Sequence, residues 1–145
     1  MSGAKTVEVK IGRVRGALFE ATNAGGQKAL IDGPPDLGGQ GEGVRPMEMV
    51  LMGLAGCSAL DVIHILEKQQ KEPLEDLVVT VKGARADATP AVYTAIELHF
   101  EASGAVDPHK LERAVKLSME KYCSVAKMLE KSATITYTTT LRGAS

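Results

Sequence analysis

Hydrophobic and polar residues alternate along the first third of the chain. The stretch TVEVKIGRVRGALFEA is rich in β-branched residues and alternates with a period near two, as a half-buried strand does. A turn follows at Gly25 and Gly26, and QKALID reads as a third short strand. This pattern predicts a small antiparallel meander. The next stretch, GPPDLGGQGEG, has the glycine and proline content of a surface loop.

The central segment changes from alternation to a long apolar run. Pro46 suits the first turn of a helix and Glu48 complements the positive end of its dipole, so the pattern predicts a helix from Pro46 to Gln70. Its first two-thirds are apolar on nearly every face, which requires other structure around it. Gly53 and Gly56 permit close approach of a second backbone, and they favour a helix contact within a homodimer.

The last part of the chain mixes strands and helices. DLVVTVKGARA and VYTAIELHFEAS predict two strands joined by a turn near residues 87–90, and SATITYTTTLRG predicts a final strand. DPHKLERAVKLSMEKY predicts an amphipathic helix with Asp107 as its cap and Pro108 at its first position, and Cys123 begins another short helix. The order βββ-α-ββ-αα-β lacks regular βαβ alternation, so the fold class is α+β in a single domain over residues 1–145.

Composition excludes several classes of function. Seventeen basic and eighteen acidic residues, with three tyrosines and two phenylalanines, give no footprint for nucleic acid. The N-terminus lacks a signal peptide, and we find no run of about twenty uncharged apolar residues, so we expect a cytoplasmic protein without a membrane partner. The glycine-rich stretch lacks the Gly-Lys-Ser/Thr ending of a phosphate loop, and we expect no cofactor.

Three polar side chains interrupt the apolar helix. Cys57, Asp61 and His64 are spaced by four and three residues, so they share one helical face. His64 lies roughly 10 Å along the axis from Cys57, too far for a direct hydrogen bond on one straight helix. A carboxylate at Asp61 disfavours a thiolate rather than stabilising it. We interpret Asp61 and His64 as polar contacts at the edge of the core, with a catalytic role as the alternative.

The two cysteines are too few for a disulfide scaffold, and in a reducing compartment such a pair is either inert or redox-active. Cys57, His64 and Cys123 are metal-ligand types, but CxxC and HxxxH spacings are absent, so no metal site is predicted. In KYCSVAKM, Cys123 stands at the start of a helical turn, where unpaired N–H groups and Lys121 or Lys127 favour a thiolate. The alternative is an ordinary half-buried cysteine.

Two stretches resemble the signature of the OsmC/Ohr family. DGPPDLGGQGEGVRPMEMVLMGLAGCSALDV has the family's glycine-rich loop, proline-acidic helix start and cysteine helix, and YCSVAKML is similar to its second-cysteine segment. The resemblance covers essentially the whole chain. It implies an α+β fold in which two subunits intertwine, with active sites at the interface that reduce organic hydroperoxides. It also implies that Cys57 is the peroxidatic cysteine and Cys123 the resolving cysteine.

The chain departs from the family pattern at two positions. Peroxidase members have an arginine after the early Gly-Gly turn, and here that residue is Gln27. The family's glutamate directly follows the helix-start proline, whereas this chain has Met47 there and Glu48 one residue later, about 100° further around a helix. Arg45 is the expected substitute cation, with Arg13 or Arg15 of a partner chain as alternatives.

The sequence therefore predicts thiol-dependent reduction of an organic hydroperoxide in oxidative stress defence. Cys57 and Cys123 are the expected reacting pair, Glu48 and Arg45 complete the expected catalytic set, and an external dithiol regenerates the thiols. The alternative function is a redox-responsive or small-ligand-binding protein that uses the same pocket without turnover.

Overall fold

The computed structural model of the protein describes residues 5–143. It divides the chain into two compact units, with the boundary between Val50 and Leu51. The single-domain organisation inferred from the sequence stays a prediction.

The first unit contains a three-stranded antiparallel sheet. Its strands β1 (Val9–Arg15), β2 (Leu18–Asn23) and β3 (Lys28–Ile31) lie in the order β1-β2-β3, which confirms the predicted meander. The β1–β2 turn uses Gly16 at φ +52°, and the β2–β3 turn uses Gly26 at φ +87°. These left-handed conformations suit glycine because it has no Cβ to clash with its own backbone.

Asp32 anchors the glycine-rich stretch that follows β3. Its side chain is 2% exposed and accepts hydrogen bonds from the backbone N–H groups of Gly33, Gln40 and Glu42, at 2.8 to 3.2 Å. The Glu42 N–H is the largest cause that lowers the pKa of the Asp32 carboxyl, and the charge of Arg45 lowers it further. A buried carboxylate thus orders a loop that has one 3₁₀ turn, Pro35–Leu37.

The central helix α1 spans Pro46–Ile63 and continues as a wider π-type turn over His64–Gln69. The predicted helix from Pro46 to Gln70 is therefore confirmed apart from its last turn, where the Gln70 N–H donates to the Ile65 carbonyl. This helical run is long and apolar enough, by length and composition alone, to cross a membrane. It is not a run of about twenty uncharged apolar residues, because Glu48 and Asp61 interrupt it, and a core or interface helix meets the same criteria of length and composition.

The second unit is built on a mixed three-stranded sheet. Strands β4 (Leu74–Arg85), β5 (Tyr93–Gly104) and β6 (Thr134–Arg142) lie in the order β4-β5-β6. The β4–β5 pair is antiparallel, as the turn near residues 87–90 predicted, whereas β5 and β6 are parallel. Parallel pairing requires a crossover connection between β5 and β6.

That crossover is helical. It consists of α2 (Pro108–Leu117), a π-type turn (Ser118–Tyr122) and α3 (Ser124–Leu129). The Asp107 carboxylate accepts from the His109 N–H at 2.8 Å, which confirms the predicted cap of α2. Alternate residues of β5 and the apolar face of α2 form the core of this unit, with these members buried: Ile96, Leu98, Phe100, Ala102, Leu111, Ala114 and Val115.

Candidate active site

The part of α1 in the second unit has a buried face and an exposed face. Leu54, Ser58 and Val62 recur every four residues and are fully buried. The other face leaves a set of apolar and glycine residues exposed, which we call the exposed stripe: Met52, Gly53, Gly56 and Leu60. Cys57 and Asp61 lie between these two faces and are half-buried. Cys57 is therefore partly accessible to a small molecule from solvent.

Cys123 is fully buried and caps the first turn of α3. Its Sγ accepts from the Ala126 N–H at 3.4 Å, and its own N–H donates to the Ser118 carbonyl at 2.8 Å. Burial raises the pKa of the Cys123 thiol to about 11. The Ala126 N–H opposes that increase, and the neighbouring Cys57 adds to it. The Cys123 thiol is therefore protonated at neutral pH, contrary to the expectation that its helix start would favour a thiolate.

Three side chains from two parts of the second unit converge. The Sγ atoms of Cys57 and Cys123 and a carboxylate oxygen of Asp61 all lie within 4.8 Å of one another, and both cysteines are free thiols. We call this group the thiol-carboxylate cluster. The structure thus brings together the two cysteines that the family resemblance paired. It adds Asp61, which the sequence predicted as a polar contact at the edge of the core, with a catalytic role as the alternative.

Ser118 holds the carboxylate of the cluster in place. Its hydroxyl is fully buried and donates to Asp61 Oδ2 at 2.9 Å, and it also lies 3.5 Å from the Ser58 carbonyl. Ser118 was not among the site residues predicted from the sequence. A signal was present, because Ser118 continues the apolar positions 111, 114 and 115 of the amphipathic helix. A polar residue on an apolar face needs a buried partner.

His64 is not a member of the thiol-carboxylate cluster. It is exposed at the start of the π-type turn, and its Nε2 lies 3.5 Å from Nε2 of Gln69. The ligand set of Cys57, His64 and Cys123 considered from the sequence is therefore not assembled. The polar role expected for Asp61 is realised through Ser118, while His64 contacts only its own segment among the hydrogen bonds of the described residues.

The other predicted site residues belong to the first unit. Arg45 is exposed, and its backbone N–H donates to Glu48 Oε1 at 2.9 Å, so Glu48 caps the start of α1. Gln27 is exposed in the β2–β3 turn, where its backbone N–H donates to Asn23 Oδ1 at 2.9 Å. The catalytic roles of Arg45 and Glu48 stay predictions.

The alternative cations have local partners in the same unit. The Arg13 side chain donates to the Gly16 carbonyl at 2.7 Å, and Arg15 forms an ion pair with Glu42. Both arginines are exposed, so these contacts are weak constraints on their side chains.

Comparison with known proteins gives consistent matches over most of the chain. The family model described as OsmC-like protein matches residues 39–138. Protein YhfA of Escherichia coli K12 is 39% identical over 132 residues, which cover 90% of this chain and 95% of that protein. A solved structure of a hypothetical protein from Aquifex aeolicus VF5 has a TM-score of 0.81 at 32% identity, covering 96% of this chain and 99% of that one.

A more distant structure shares the fold. The organic hydroperoxide resistance protein OsmC from Legionella pneumophila, described as a predicted redox protein, has a TM-score of 0.68 at 20% identity. The match covers 99% of both chains, and at this identity it supports the α+β fold alone. The family model, which spans more than half of the sequence, and the relative at 39% identity lead to one conclusion: this chain belongs to the OsmC-like family.

Proposed function

We propose that the protein is a thiol-dependent peroxidase that reduces organic hydroperoxides through Cys57 and Cys123. The observation that supports this function most directly is the separation of the two sulfur atoms, which lie within 4.8 Å of each other as free thiols. Membership in the OsmC-like family supports a redox-related role, and the Legionella relative is described as an organic hydroperoxide resistance protein.

The different environments of the two cysteines support the roles proposed for them. Cys57 is half-buried and reachable, whereas Cys123 is buried with a pKa raised to about 11 by burial. Cys123 therefore retains its proton while Cys57 reacts first. The Cys57 thiolate attacks one oxygen of ROOH, the O–O bond breaks, and with one proton taken up the products are Cys57–SOH and ROH. The apolar residues of α1 around Cys57 suit an alkyl hydroperoxide.

Cys123 then resolves the sulfenic acid. Its sulfur attacks Cys57 Sγ, the S–O bond breaks, and the Cys123 proton leaves with the hydroxyl as water while a disulfide forms. Asp61 is close enough to both sulfurs to accept and return that proton. An external dithiol reduces the disulfide by two exchange steps, and it is itself oxidised to a disulfide.

Arg45 and Glu48 complete the proposed catalytic set. Arg45 is the cation proposed to replace the family arginine, whose position holds Gln27. An arginine guanidinium in proteins carries a positive charge that can stabilise a nearby anion such as a thiolate. Glu48 is proposed to help position Arg45, because its carboxylate accepts a hydrogen bond from the Arg45 backbone N–H at the start of α1.

A homodimer in the cytoplasm is part of this proposal. The exposed stripe leaves Met52 at 49% and Leu60 at 68% exposure, which is unfavourable for a helix that remains in water. A Cβ added at Gly53 or Gly56 would meet no heavy atom within 4 Å among the described residues. That open surface fits the backbone of a second α1, with the membrane-length apolar run covered by a partner rather than by lipid.

One observation favours a second candidate function. The Asp61 carboxylate lies within 4.8 Å of both sulfurs, and Gln27 stands where the family's peroxidases have an arginine. A thiol pair without that arginine suits a protein that responds to oxidants or binds a small ligand without turnover. The two functions differ in whether the chain turns over a hydroperoxide with a dithiol present.

Stopped-flow reduction of cumene hydroperoxide by the reduced protein, with lipoamide dithiol as donor, tests the proposal. We expect multiple turnovers, no turnover by Cys57→Ser, and a single oxidation of Cys123→Ser that leaves a sulfenic acid trapped by a 1,3-diketone. Ser132→Cys with Cys123→Ser is the matched control, because it restores the thiol count at an exposed position away from the cluster. Turnover by Cys57→Ser, or wild-type thiols unchanged by stoichiometric hydroperoxide, would contradict the peroxidase assignment.

A further inference from the structure

The three donor atoms of the thiol-carboxylate cluster have a geometry that also suits a bound metal ion. Two sulfurs and a carboxylate oxygen lie within 4.8 Å of one another. In a tetrahedral zinc site with Zn–S near 2.3 Å, two bound sulfurs lie about 3.8 Å apart. Side-chain rotations that close the cluster by about 1 Å would therefore bring all three atoms onto one ion.

We propose that the reduced protein binds one zinc ion through Cys57, Asp61 and Cys123, with the fourth position open to water. The donor set selects the metal. Thiolates prefer thiophilic cations such as Zn²⁺, whereas Mg²⁺ and Ca²⁺ take oxygen ligands only. Asp61 supplies the third ligand in place of His64, which is exposed and bonded within its own turn.

Two hydrogen bonds position the ligands from outside the cluster. The Ser118 hydroxyl donates to Asp61 Oδ2, which fixes the carboxylate and leaves its other oxygen available. The Ala126 N–H donates to Cys123 Sγ, which offsets part of the negative charge of a bound thiolate. Such outer contacts orient metal ligands and raise affinity in known sites. Ser118 is fully buried, so solvent does not compete for its hydroxyl.

The location of the cluster accounts for an open fourth position. Cys123 is buried, while Cys57 and Asp61 are half-buried on the side of α1 that borders the exposed stripe. Three protein ligands with one accessible position are typical of zinc sites that exchange a water or another ligand. A fully enclosed structural site would instead have four protein ligands.

Zinc and the disulfide exclude each other, because both use the same two sulfurs. A hydroperoxide that oxidises the zinc-bound thiolates consumes two protons and gives the disulfide, ROH, water and free Zn²⁺. Zinc release on oxidation rests on the proposed peroxidase function, whereas zinc binding to the reduced protein does not. A test without any peroxide therefore separates the two proposals.

Titration of the reduced, metal-free protein with Co²⁺ tests the binding directly. We expect a thiolate-to-cobalt charge-transfer band that saturates at one ion per chain and disappears when Zn²⁺ is added. Competition with a chelating dye then gives the zinc affinity. Binding should weaken as pH falls, since each thiol must lose its proton to bind.

Variants identify the ligands. Cys57→Ser and Cys123→Ser should each lower the intensity of the charge-transfer band by about half or abolish the band. Asp61→Asn should weaken zinc binding by more than tenfold, and Ser118→Ala should weaken it by about tenfold. His64→Ala and Glu67→Gln are matched controls on the same helical run, and both should bind as wild type does. Wild-type protein with Cys57 alkylated should lose zinc binding. This modification tests the ligand even where a cysteine variant does not fold.

Three results would overturn the proposal. The first is the absence of a charge-transfer band in folded protein with two titratable thiols. The second is an unchanged zinc affinity of Asp61→Asn, and the third is a loss of zinc affinity in His64→Ala. The last result would assign the third ligand to His64 rather than Asp61.

Discussion

The hydroxyl of Ser118 donates a 2.9 Å hydrogen bond to Oδ2 of Asp61, and this bond joins the crossover of the second sheet to the central helix. The two residues are far apart in sequence. Asp61 lies within 4.8 Å of both sulfurs, and the Ser118 carbonyl accepts a hydrogen bond from the Cys123 N–H. The same bond thus supports the packing of the unit and fixes the only carboxylate of the thiol-carboxylate cluster.

Replacement of Ser118 by alanine should destabilise the protein. The change leaves the half-buried Asp61 carboxylate without this donor, and an unsatisfied buried polar group costs about 1–3 kcal/mol. Urea unfolding measures the free energy. Ser132→Ala is the matched control, since its exposed hydroxyl bonds to the Leu129 carbonyl and should matter by less than about 0.5 kcal/mol. Equal effects of the two substitutions would contradict a structural role for the Ser118–Asp61 bond.

The raised pKa of Cys123 predicts a loss of stability in alkaline solution. Burial raises this pKa from 9.0 to about 11, so the folded protein favours the neutral thiol more than the unfolded chain does. The contribution is complete below pH 9 and decreases as pH rises through about 11. Urea unfolding of wild type and Cys123→Ala from pH 8 to 11.5 measures it.

The expected result is that the stability difference between wild type and Cys123→Ala shrinks over that range. Subtracting the unfolding free energy of Cys123→Ala from that of wild type cancels the contributions of other groups that titrate in this range. One of them is Tyr137, whose pKa is raised to about 12 by burial and by Glu120. A stability difference that stays constant from pH 8 to 11.5 would show that the Cys123 pKa is not raised by folding.

A leucine at Gly53 should dissociate the proposed homodimer. Gly53 is exposed and its added side chain has space in one chain, so Gly53→Leu should fold as a monomer and gain helix propensity of somewhat less than 1 kcal/mol. In a close helix pair the same side chain has no room. Light scattering after size exclusion measures the mass. Glu112→Leu is the control, because Glu112 is exposed on α2, and this variant should remain a dimer. A Gly53→Leu variant that remains a dimer would contradict packing through the exposed stripe.

Loss of Arg45 should slow the reaction of Cys57 at neutral pH. If Arg45 stabilises the thiolate, Arg45→Ala in a Cys123→Ser background should lower the rate of Cys57 with a hydroperoxide by about tenfold, equivalent to about 1.4 kcal/mol. Arg142→Ala is the control, because Arg142 pairs with Glu101 at the sheet edge. An unchanged rate would exclude Arg45 and direct the same test to Arg13 and Arg15.

The sequence predicted the elements of this fold because their signals are local. Alternation identified the strands, Pro46 marked the start of α1, and Asp107 with Pro108 marked the start of α2, all as the structure has them. The two π-type turns had no such signal, since a single extra residue in a helix leaves the apolar pattern almost unchanged. Parallel pairing of β6 with β5 was also not readable, because strand order depends on long-range packing.

The candidate site also has one part that was predicted from the sequence and another that depends on long-range packing. The family resemblance paired Cys57 with Cys123, and the structure places their sulfur atoms close together. Spacing along one helix could not show that Asp61 rather than His64 joins them. That choice depends on which face of α1 meets the segment that begins at Ser118, a contact between residues distant in the chain.

The position of β6 has a topological consequence for the oxidised protein. A bond between Cys57 and Cys123 would close a covalent ring that contains β4, β5 and α2, and β6 would remain outside it. A ring of roughly 65 residues restricts the unfolded chain enough to stabilise the fold by about 4 kcal/mol. Oxidation would therefore lock two strands of the sheet together, while the third stays attached through its parallel ladder with β5 and the Tyr137–Glu120 hydrogen bond. On heating the oxidised protein, β6 would therefore be the first strand of this sheet to separate.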